Sequence, residues 1–600
     1  MKNKVKIAVA APKIRLCDPA YNAKLCIDMA KEADAAGADI ILFPELTLTG
    51  ATAGDLYFQE ALLEVALSAL AEYQRETENI GVMSFIGLPV SVDSDVYNGV
   101  AAISEGEILG ITASGAHSRW FSSISENGKT ALINGKKIQL GRDLIYTDDA
   151  TRANIFVKIG DDNAFSCDGV NLILNPTAMA EYIGLAESRR EFATGVSSAL
   201  GIPFVIAGAG EGESGTDGLY AGARLVCDCD GVIAEAPLFD CGILYADIDI
   251  TKRKPKSVQV GEQDEKTLKY PFIPNDPCKL FEACELALLI QSRALAQRIE
   301  RSYSKTAVIG VSGGLDSTLA VLVAARTMDV LGRDRKNVIA ITMPCFGTTE
   351  RTKGNALALA EELGCSVRTI DIKAAVNQHF KDIAHDEKCY NVVYENAQAR
   401  ERTQILMDVA NAEGGLVIGT GDLSELALGF ATYNGDHMSM YSVNASVPKT
   451  LMRKIIAHSA SKAADMGLDK LSAVLRDVIE TPVSPELLPL TDGENHQHTE
   501  SIVGPYELHD FFLYYTVKHG CSPQRVFTMA KELFTEYEPC EIKKYLEVFV
   551  RRFYSQQFKR SCMPDGPRVT EISLSPRGSW QMPSDVSANV WRENLNNIEI

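Results

Sequence analysis

The sequence comprises 600 residues, of which 46% are hydrophobic and 23% charged, and this length and composition predict a globular protein with more than one domain. The 59 basic and 79 acidic residues give a formal charge of −20 at pH 7, which argues against general nucleic-acid binding. No run approaches the roughly 18 apolar residues typical of a membrane span, and the amino terminus starts directly with a strand pattern. We therefore expect a cytoplasmic enzyme that binds neither nucleic acid nor membrane.

The cysteines and histidines give no pattern of a zinc site. The 14 cysteines are scattered without a metal-like Cys-x-x-Cys pair, and the nine histidines form no cluster of metal-ligand spacing. We therefore expect mostly reduced thiols. His437, a lone histidine among polar residues, is expected to be a hydrogen-bonded loop side chain rather than a catalytic base.

The first half of the chain alternates strand and helix patterns. Apolar residues alternate over 5–9, residues 20–36 have a helical pattern, and residues 39–43 form a second strand. Glu45 follows this strand at its carboxyl end, where open α/β sheets form their crevices, which makes it a candidate general base. Further strands are predicted at residues 81–90, 100–104, 172–175, 204–208 and 219–227.

Residues 210–217, Gly-Glu-Gly-Glu-Ser-Gly-Thr-Asp, resemble a loop of the glutaminase branch of the nitrilase superfamily. This resemblance implies an αββα sandwich and an amide hydrolase site made of a glutamate, a lysine and a cysteine. In such a site the carboxylate takes the thiol proton, the thiolate attacks the amide carbon, and the lysine stabilises the oxyanion.

This sequence departs from the nitrilase pattern at two of the three catalytic positions. The segment that normally contains the lysine aligns to residues 110–114, where Ser114 stands in its place. The segment that normally contains the nucleophile aligns to residues 158–162, where Gly160 stands in its place. Cys167 lies nearby and is a candidate for a displaced nucleophile, but a core or surface thiol is the preferred interpretation. Glu45 is then a remnant of the glutaminase site.

A break in composition separates the two halves. Residues 257–278 hold three prolines, one glycine and alternating charges, and we interpret them as a linker between domains at 1–256 and 279–600. Apolar residues at helical spacing between 280 and 299 predict an amphipathic helix that leads into the second domain.

Residues 307–318 are the central motif of the second domain. A buried strand is followed by Ser312-Gly313-Gly314-Leu315-Asp316-Ser317-Thr318 and then by a helical pattern. The glycines allow the backbone to approach an anion, the helix amides point at it, and Asp316 would hold Mg²⁺ against phosphates. The motif lacks the lysine of a Walker loop. It resembles the loop of ATP pyrophosphatases, which cleave ATP between its α and β phosphates.

The following elements predict a doubly wound parallel sheet. Strands are predicted at 338–344, 366–372 and 416–419, with a helix over 350–363 and another that opens near Glu395. Thr420 and Glu425 follow the last of these strands, where Thr420 can reach ATP and Glu425 can complete a magnesium site with Asp316.

The order of motifs behind this loop makes residues 270–600 similar to the synthetase domain of NAD synthetases. Those motifs are the segments 432–437, 447–450, 481–487, 504–510, 557–560 and 575–580. The resemblance covers nearly the whole chain and extends to the bacterial two-domain form, in which the first half makes ammonia from glutamine.

The resemblance implies a role for each matching residue. ATP would contact Ser312, Gly313, Gly314, Leu315, Asp316, Ser317, Thr318, Thr420, Lys449 and Thr481. The dinucleotide substrate would contact Asn396, Arg400, Tyr433, Asp436 and Lys559, with Arg402 as an alternative to Arg400. Asp316, Lys449 and Asp436 are the expected catalytic residues. A homo-oligomer with sites near its subunit interfaces is also implied.

The reaction implied is ATP-dependent adenylation of nicotinic acid adenine dinucleotide, followed by amidation to NAD. Because Ser114 and Gly160 replace the hydrolytic groups, we expect ammonia to come from solution or from another protein. Three alternatives stay open at this point: a glutamine-hydrolysing synthetase with a displaced nucleophile, a nucleotide-binding pseudoenzyme, and an adenylating amidotransferase with another carboxylate substrate.

Overall fold

The computed structural model describes residues 4–125, 128–133, 135–160, 168–251, 267–481, 487–488 and 504–598. It divides into two compact units, one of residues 1–214 and 219–262 and the other of residues 215–218 and 263–600. The predicted linker begins outside the described residues, so its extent stays a prediction.

The first unit contains three helices and sixteen strands among its described residues. The helices are α1 (Pro19–Ala35), α2 (Glu60–Glu76) and α3 (Leu185–Leu200), and a 3₁₀ turn spans Gly54–Phe58. The strands are β1 (Val5–Ala11), β2 (Ile40–Leu42), β3 (Met83–Val92), β4 (Asp95–Ser104), β5 (Glu107–Ala113), β6 (Lys129–Ile133), β7 (Lys136–Gly141), β8 (Ile145–Asp148), β9 (Ala153–Val157), β10 (Leu172–Thr177), β11 (Ala180–Glu181), β12 (Phe204–Gly208), β13 (Leu219–Tyr220), β14 (Arg224–Asp228), β15 (Gly231–Glu235) and β16 (Gly242–Ile248).

Fourteen of these strands form two large sheets that pack face to face, while β11 and β13 pair only with each other. The strand order is β16-β1-β2-β3-β4-β5-β7-β6 in one sheet and β15-β14-β12-β10-β9-β8 in the other. Alternation along β1 assigns its side chains to two cores, because Val9 packs between the sheets while Ala10 packs toward α1. Phe204 and its neighbours pack against α3 on the far side of the second sheet. The layers are therefore α, β, β and α, which confirms the predicted sandwich.

One predicted strand is wrong in its extent, and several strands were not predicted. The segment 219–227 is not continuous but divides into β13 and β14, because Gly222 adopts a left-handed backbone conformation with φ of +62°. The hairpin of β6 and β7 and the strand β8 lie in a polar region where alternation is weak. By contrast, β12 matches the predicted bounds of 204–208.

The second unit contains five strands and thirteen helices among its described residues. The strands are β17 (Ala307–Gly310), β18 (Val338–Thr342), β19 (Ser366–Thr369), β20 (Leu416–Gly419) and β21 (Tyr441–Ser442). The helices are α4 (Pro277–Arg301), α5 (Leu315–Val330), α6 (Glu350–Glu362), α7 (Lys373–Asp382), α8 (Val392–Glu413), α9 (Leu423–Leu428), α10 (Lys449–Asp465), α11 (Asp469–Glu480), α12 (Tyr506–Val517), α13 (Pro523–Leu533), α14 (Pro539–Ser555), α15 (Gln557–Arg560) and α16 (Asn589–Asn596), with a 3₁₀ turn at Arg335–Asn337.

The five strands form one parallel sheet in the order β19-β18-β17-β20-β21. Helices α7 and α8 pack on one face, where Val308 and Ile341 share a core with Phe380 and Tyr394. Helices α4, α5 and α10 pack together on the other. The predicted doubly wound sheet is confirmed, and the carboxyl ends of β17, β18 and β20 meet at one edge, where such folds bind ligands.

Within the described part of the chain, no helix combines the length and the apolar character needed to cross a membrane. The described cysteines are all free thiols.

Candidate functional site

A cleft of about 900 Å³ opens in the second unit at the carboxyl ends of β17, β18 and β20. Its lining includes most of the residues predicted to bind ATP, magnesium and the dinucleotide. These are Ser312, Gly314, Leu315, Asp316, Ser317, Asn396, Thr420, Glu425, Tyr433, Asp436, Thr481 and Lys559. Residues that are far apart in sequence are thus brought to one site by the parallel sheet.

The loop between β17 and α5 has a backbone conformation and a close contact that require glycine. Gly313 has φ of +85°, and a Cβ atom there would lie 2.0 Å from the carbonyl oxygen of Thr352. The hydroxyls of Ser312 and Ser317 lie 3.2 Å apart, and Ser312 Oγ accepts a hydrogen bond from the Gly314 amide. These contacts within the loop fix its conformation at the amino terminus of α5, where backbone amides favour an anion.

Three carboxylates and one lysine form a compact ionic cluster below this loop. Lys449, the first residue of α10, has Nζ 2.6 Å from Asp316 Oδ1, 2.6 Å from Asp422 Oδ2 and 3.1 Å from Glu425 Oε1. The side chains of Lys449 and Asp422 are buried. The carboxylates lie within 4.8 Å of one another, a grouping that could hold a metal ion.

The cluster is electrostatically unbalanced because one ammonium faces three carboxyl groups. Burial raises the pKa of Asp422 well above its ordinary value against the opposing effect of Lys449, and burial likewise raises the pKa of Glu425 to about 7. Burial alone would lower the pKa of Lys449, but the carboxylates of Asp316, Asp422 and Glu425 outweigh it and raise that pKa. The excess of hard oxygen donors fits a divalent cation such as Mg²⁺.

Sequence reasoning missed the residues that position this cluster. Asp422 caps α9 because its Oδ1 accepts a hydrogen bond of 2.7 Å from the Glu425 amide. This bond fixes the backbone of Glu425, while the other oxygen of Asp422 pairs with Lys449. Asn444 donates to the carbonyl oxygens of both Asp316 and Thr420 at 3.0 Å. Asp422 was visible within the Thr-Gly-Asp-Leu-Ser-Glu segment, but nothing in the sequence marked Asn444.

A second buried acid anchors the start of α10. Asp510, on α12, accepts hydrogen bonds from the Ser424 hydroxyl and from the backbone and side chain of Thr450. Burial raises the pKa of Asp510 to about 6 despite these donors. Because Ser424 Oγ also accepts from the Lys449 amide, this network fixes the backbone of the cluster lysine.

Three residues predicted to contact ATP do not line the cleft surface. Gly313 faces α6, Thr318 is fully buried in α5, and Lys449 lies behind Asp316 and Glu425. Gly313 and Thr318 thus shape the loop, whereas Lys449 reaches the cleft only through its carboxylate partners. Their roles toward ATP stay predictions.

The other end of the cleft is built from the segment 429–437 and from α15. Asp436 Oδ1 accepts a hydrogen bond of 2.6 Å from the Thr432 amide, and burial raises the pKa of Asp436. Lys559 donates to the carbonyl oxygens of Gly429 and Ala431 at 2.7 and 2.6 Å. Asn396 accepts from the Thr432 hydroxyl at 2.8 Å. Three of the predicted dinucleotide contacts therefore converge on one loop.

The structure distinguishes the two arginines on α8. Arg402 lines the cleft, with Nε 3.4 Å from the Met343 carbonyl oxygen. Arg400 is exposed and points its guanidinium at the Tyr433 carbonyl oxygen, 3.3 Å away. The alternative that places Arg402 at the substrate therefore has the better geometry.

The first unit brings the three positions of the predicted glutaminase site together. Asn98 Nδ2 donates to Glu45 Oε1 at 2.7 Å, while the Asn98 carbonyl oxygen accepts from the Ser114 amide at 2.9 Å. A Cβ atom built on Gly160 would lie 3.5 Å from Glu45 Oε2. Position 160 is therefore next to the carboxylate, where a nucleophile would stand, yet it carries no side chain.

Cys167, the candidate displaced nucleophile, lies outside the described residues. Gly160 has φ of +57°, a region that side chains with a Cβ atom rarely adopt.

Comparisons with known proteins agree with this two-part construction. Residues 290–533 match the NAD synthase family, and residues 6–143 match the carbon-nitrogen hydrolase family. The second match includes Glu45 and Ser114 and ends before Gly160.

Curated relatives and solved structures match the chain over its whole length. A glutamine-dependent NAD(+) synthetase of Mycobacterium tuberculosis is 34% identical, with 98% of this chain and 97% of the relative covered. The corresponding protein of Mycobacterium leprae is 32% identical at the same coverage. The crystal structure of a glutamine-dependent NAD(+) synthetase from Cytophaga hutchinsonii has the same fold, with a TM-score of 0.79, 21% identity and 99% of each chain covered. The chain therefore belongs to the NAD(+) synthetase family of ATP-dependent ligases, in the form that joins a carbon-nitrogen hydrolase domain to an NAD synthase domain.

Proposed function

We propose that this chain is an NAD+ synthetase that takes ammonia from solution or from another protein instead of hydrolysing glutamine in its own first unit. The observation that carries the proposal is the glycine at position 160, whose Cβ position would lie 3.5 Å from Glu45 Oε2. Hydrolysis of an amide through a covalent intermediate needs a nucleophile at this place, and glycine supplies none. Ser114 in turn lacks the positive charge that would stabilise an oxyanion.

The proposed reaction has two steps in the cleft of the second unit. A carboxylate oxygen of nicotinic acid adenine dinucleotide attacks the α-phosphorus of ATP, and the bond from that phosphorus to pyrophosphate breaks. Ammonia then attacks the acyl-adenylate carbon, AMP leaves, and the amide of NAD is formed.

The loop and the ionic cluster suit the first of these steps. The amides that begin α5 would hold phosphate oxygens, and Lys449 would act on the phosphates through Asp316 and Glu425, the carboxylates that it pairs with. Asp316 and Glu425, with Asp422 beside them, would hold Mg²⁺. The bound ion would supply positive charge next to the phosphates and so favour the release of pyrophosphate. Thr420 and Thr481 are proposed to contact ATP.

The opposite end of the cleft suits the dinucleotide. Tyr433 packs against the rings of His437 and Phe558, at centroid distances of 5.3 and 5.5 Å, and its exposed part would present an aromatic surface to a base or pyridine ring. Asn396 and Asp436 are proposed to bind hydroxyl groups, while Lys559 and Arg402 are proposed to bind phosphates. Arg400 remains the weaker alternative to Arg402.

Two further proposals concern the location and the assembly of the protein. We propose that it is cytoplasmic. We also propose that it forms a homo-oligomer in which the carboxyl-terminal part of one subunit lies near the cleft of the next.

The proposal is tested with the purified chain, ATP, Mg²⁺ and nicotinic acid adenine dinucleotide. NAD formation is measured with ammonium chloride and, separately, with glutamine, and Asp316→Asn serves as the control for activity from contaminating enzymes. We expect turnover with ammonium that rises with pH as NH₃ becomes available, and none with glutamine. Covalent capture of a cysteine of the first unit, Cys167 included, by a glutamine-like electrophile would instead support the displaced-nucleophile alternative.

Measurement of AMP release in the same experiment distinguishes a pseudoenzyme from the proposed synthetase. A chain that only binds nucleotides releases no AMP when the dinucleotide is added, whereas the proposed synthetase does. A panel of other carboxylates in place of the dinucleotide tests the remaining amidotransferase alternative.

A further inference from the structure

Cys562 and His437 form a thiol–imidazole pair at the dinucleotide end of the cleft. Cys562 Sγ lies 3.4 Å from His437 Nε2, although 125 residues separate them in sequence. His437 lines the cleft and is only 8% exposed, while Cys562 is partly exposed just beyond α15. Neither residue has a part in the reaction described above.

The tautomer of His437 follows from its second contact. His437 Nδ1 lies 2.9 Å from the carbonyl oxygen of Thr432. A carbonyl oxygen can only accept a hydrogen bond, so Nδ1 carries the proton and Nε2 presents its lone pair to the thiol. Burial lowers the pKa of His437, which keeps the ring neutral and this lone pair available near neutral pH.

The arrangement has the three parts of an activated nucleophile. A thiol faces an imidazole nitrogen, and a third group, here the Thr432 carbonyl oxygen, orients the imidazole. Two other cysteines, Cys241 and Cys365, have a different environment. Burial and the neighbouring Glu211 raise the pKa of Cys241 to about 11, and burial raises the pKa of Cys365 to about 11. Such environments suppress the thiolate, which is the reactive form.

We propose that Cys562, with His437 as its base, is a reactive thiol that soft electrophiles and low-molecular-weight disulfides modify, and that its modification closes the dinucleotide end of the cleft. In disulfide exchange, His437 Nε2 takes the thiol proton and Sγ attacks one sulfur of the disulfide. The S–S bond breaks, the leaving thiolate takes the proton, and Cys562 is left in a mixed disulfide that an added thiol reverses.

The neighbours of Sγ explain the expected effect on the cleft. The thiol can also donate to the Lys559 carbonyl oxygen, 3.3 Å away, so a group attached to sulfur would lie against this backbone and the His437 ring. The His437 ring stacks on Tyr433, and Lys559 holds the 429–431 backbone. The effect on the dinucleotide rests on the proposed function, whereas the reactivity of the thiol does not.

The reactivity is tested by mapping iodoacetamide labelling rates for each cysteine in the intact protein by mass spectrometry. We expect Cys562 to label about tenfold faster than the exposed Cys278 and Cys540, which serve as internal controls. His437→Gln should reduce the Cys562 rate to that of the controls without changing the control rates, and continued protection of the buried Cys284 would report that the variant is folded. Equal rates for Cys562 and the controls, or an unchanged Cys562 rate in the variant, would overturn the proposal.

The effect on the cleft is tested by comparing the unaltered protein with Cys562→Ser. Brief treatment with glutathione disulfide should abolish dinucleotide-dependent AMP release in the unaltered protein, and dithiothreitol should restore it. Cys562→Ser should keep its activity through the same treatment. Full activity of the modified unaltered protein would overturn the closure of the cleft. Absence of AMP release before any treatment would instead count against the proposed function, and the labelling rates would then decide the reactivity of the thiol alone.

Discussion

The Nζ atom of Lys449 lies 2.6 Å from Oδ2 of Asp422, and both side chains are shielded from solvent. Asp316 and Glu425 also face this ammonium, so three acids at the base of the cleft share a single buried lysine. Charges buried in this way are stable only as a set, because removal of one partner leaves the others without compensation.

Lys449→Met should therefore lower the free energy of unfolding by about 3–5 kcal/mol. The double variant Lys449→Met/Asp422→Asn should recover part of this loss, because one buried carboxylate is then removed and the amide oxygen introduced at position 422 can still cap α9. Urea unfolding of the single and double variants measures the coupling. Additive effects would show that the two side chains do not share one ionic cluster.

Lys462→Met is the matched control for this pair. Lys462 has the same 2.6 Å distance to a carboxylate, Glu285, but its side chain is 45% exposed. Solvent screening makes such a surface pair worth about 0–1 kcal/mol, so the control should be close to the unaltered protein.

Gly313→Ala should abolish ATP binding at the loop. The added methyl carbon would lie 2.0 Å from the Thr352 carbonyl oxygen, and the backbone has φ of +85°, so the loop must move away from α6. Gly332→Ala is the control, because φ is also positive there, at +64°, but no atom lies within 4 Å of the added carbon. Its cost should be only about 1 kcal/mol of backbone strain. Isothermal titration with ATP should separate the variants, and unchanged affinity of Gly313→Ala would contradict the assigned loop.

Gly160→Cys should not create glutaminase activity, although its sulfur would be close to Glu45. The oxyanion partner is still Ser114, and a cysteine at φ of +57° is strained. Gly169→Cys provides a matched control in the same unit, with φ of +79° and no atom within 4 Å. Both variants should lose about 1 kcal/mol of stability, and neither should release glutamate from glutamine. Glutamate release by Gly160→Cys alone would show that the rest of the hydrolytic site is intact.

Asp510 should make the stability of the protein depend on pH in a defined direction. Its folded pKa of about 6 lies above the ordinary 3.8, so the folded state binds the proton more tightly and this contribution to stability is lost as pH rises through about 6. From pH 5 to pH 7 the free energy of unfolding of the unaltered protein should fall by about 1 kcal/mol relative to that of Asp510→Asn. A difference that is independent of pH would place the Asp510 pKa at its ordinary value.

The sequence analysis predicted the features that local patterns encode and missed those that depend on long-range contacts. The loop 312–318 and the parallel sheet follow from alternation, glycine placement and helix periodicity, which are properties of neighbouring residues, whereas the sandwich was implied by the resemblance to the nitrilase superfamily. Asn444 and the pair of Cys562 with His437 depend on the approach of segments that are distant in sequence, which no local pattern encodes. Residues 219–227 were predicted as one strand because the apolar residues on either side of Gly222 alternate as they would in a continuous strand. The positive φ of Gly222 interrupts that strand.

The source of ammonia is tested most directly by an isotope competition. The purified chain is given ATP, Mg²⁺, nicotinic acid adenine dinucleotide, unlabelled ammonium and glutamine labelled with ¹⁵N at its amide, and the NAD formed is analysed by mass spectrometry. We predict NAD with an unlabelled amide and no glutamate beyond the enzyme-free control. Incorporation of ¹⁵N into the NAD amide, together with glutamate release, would contradict the account.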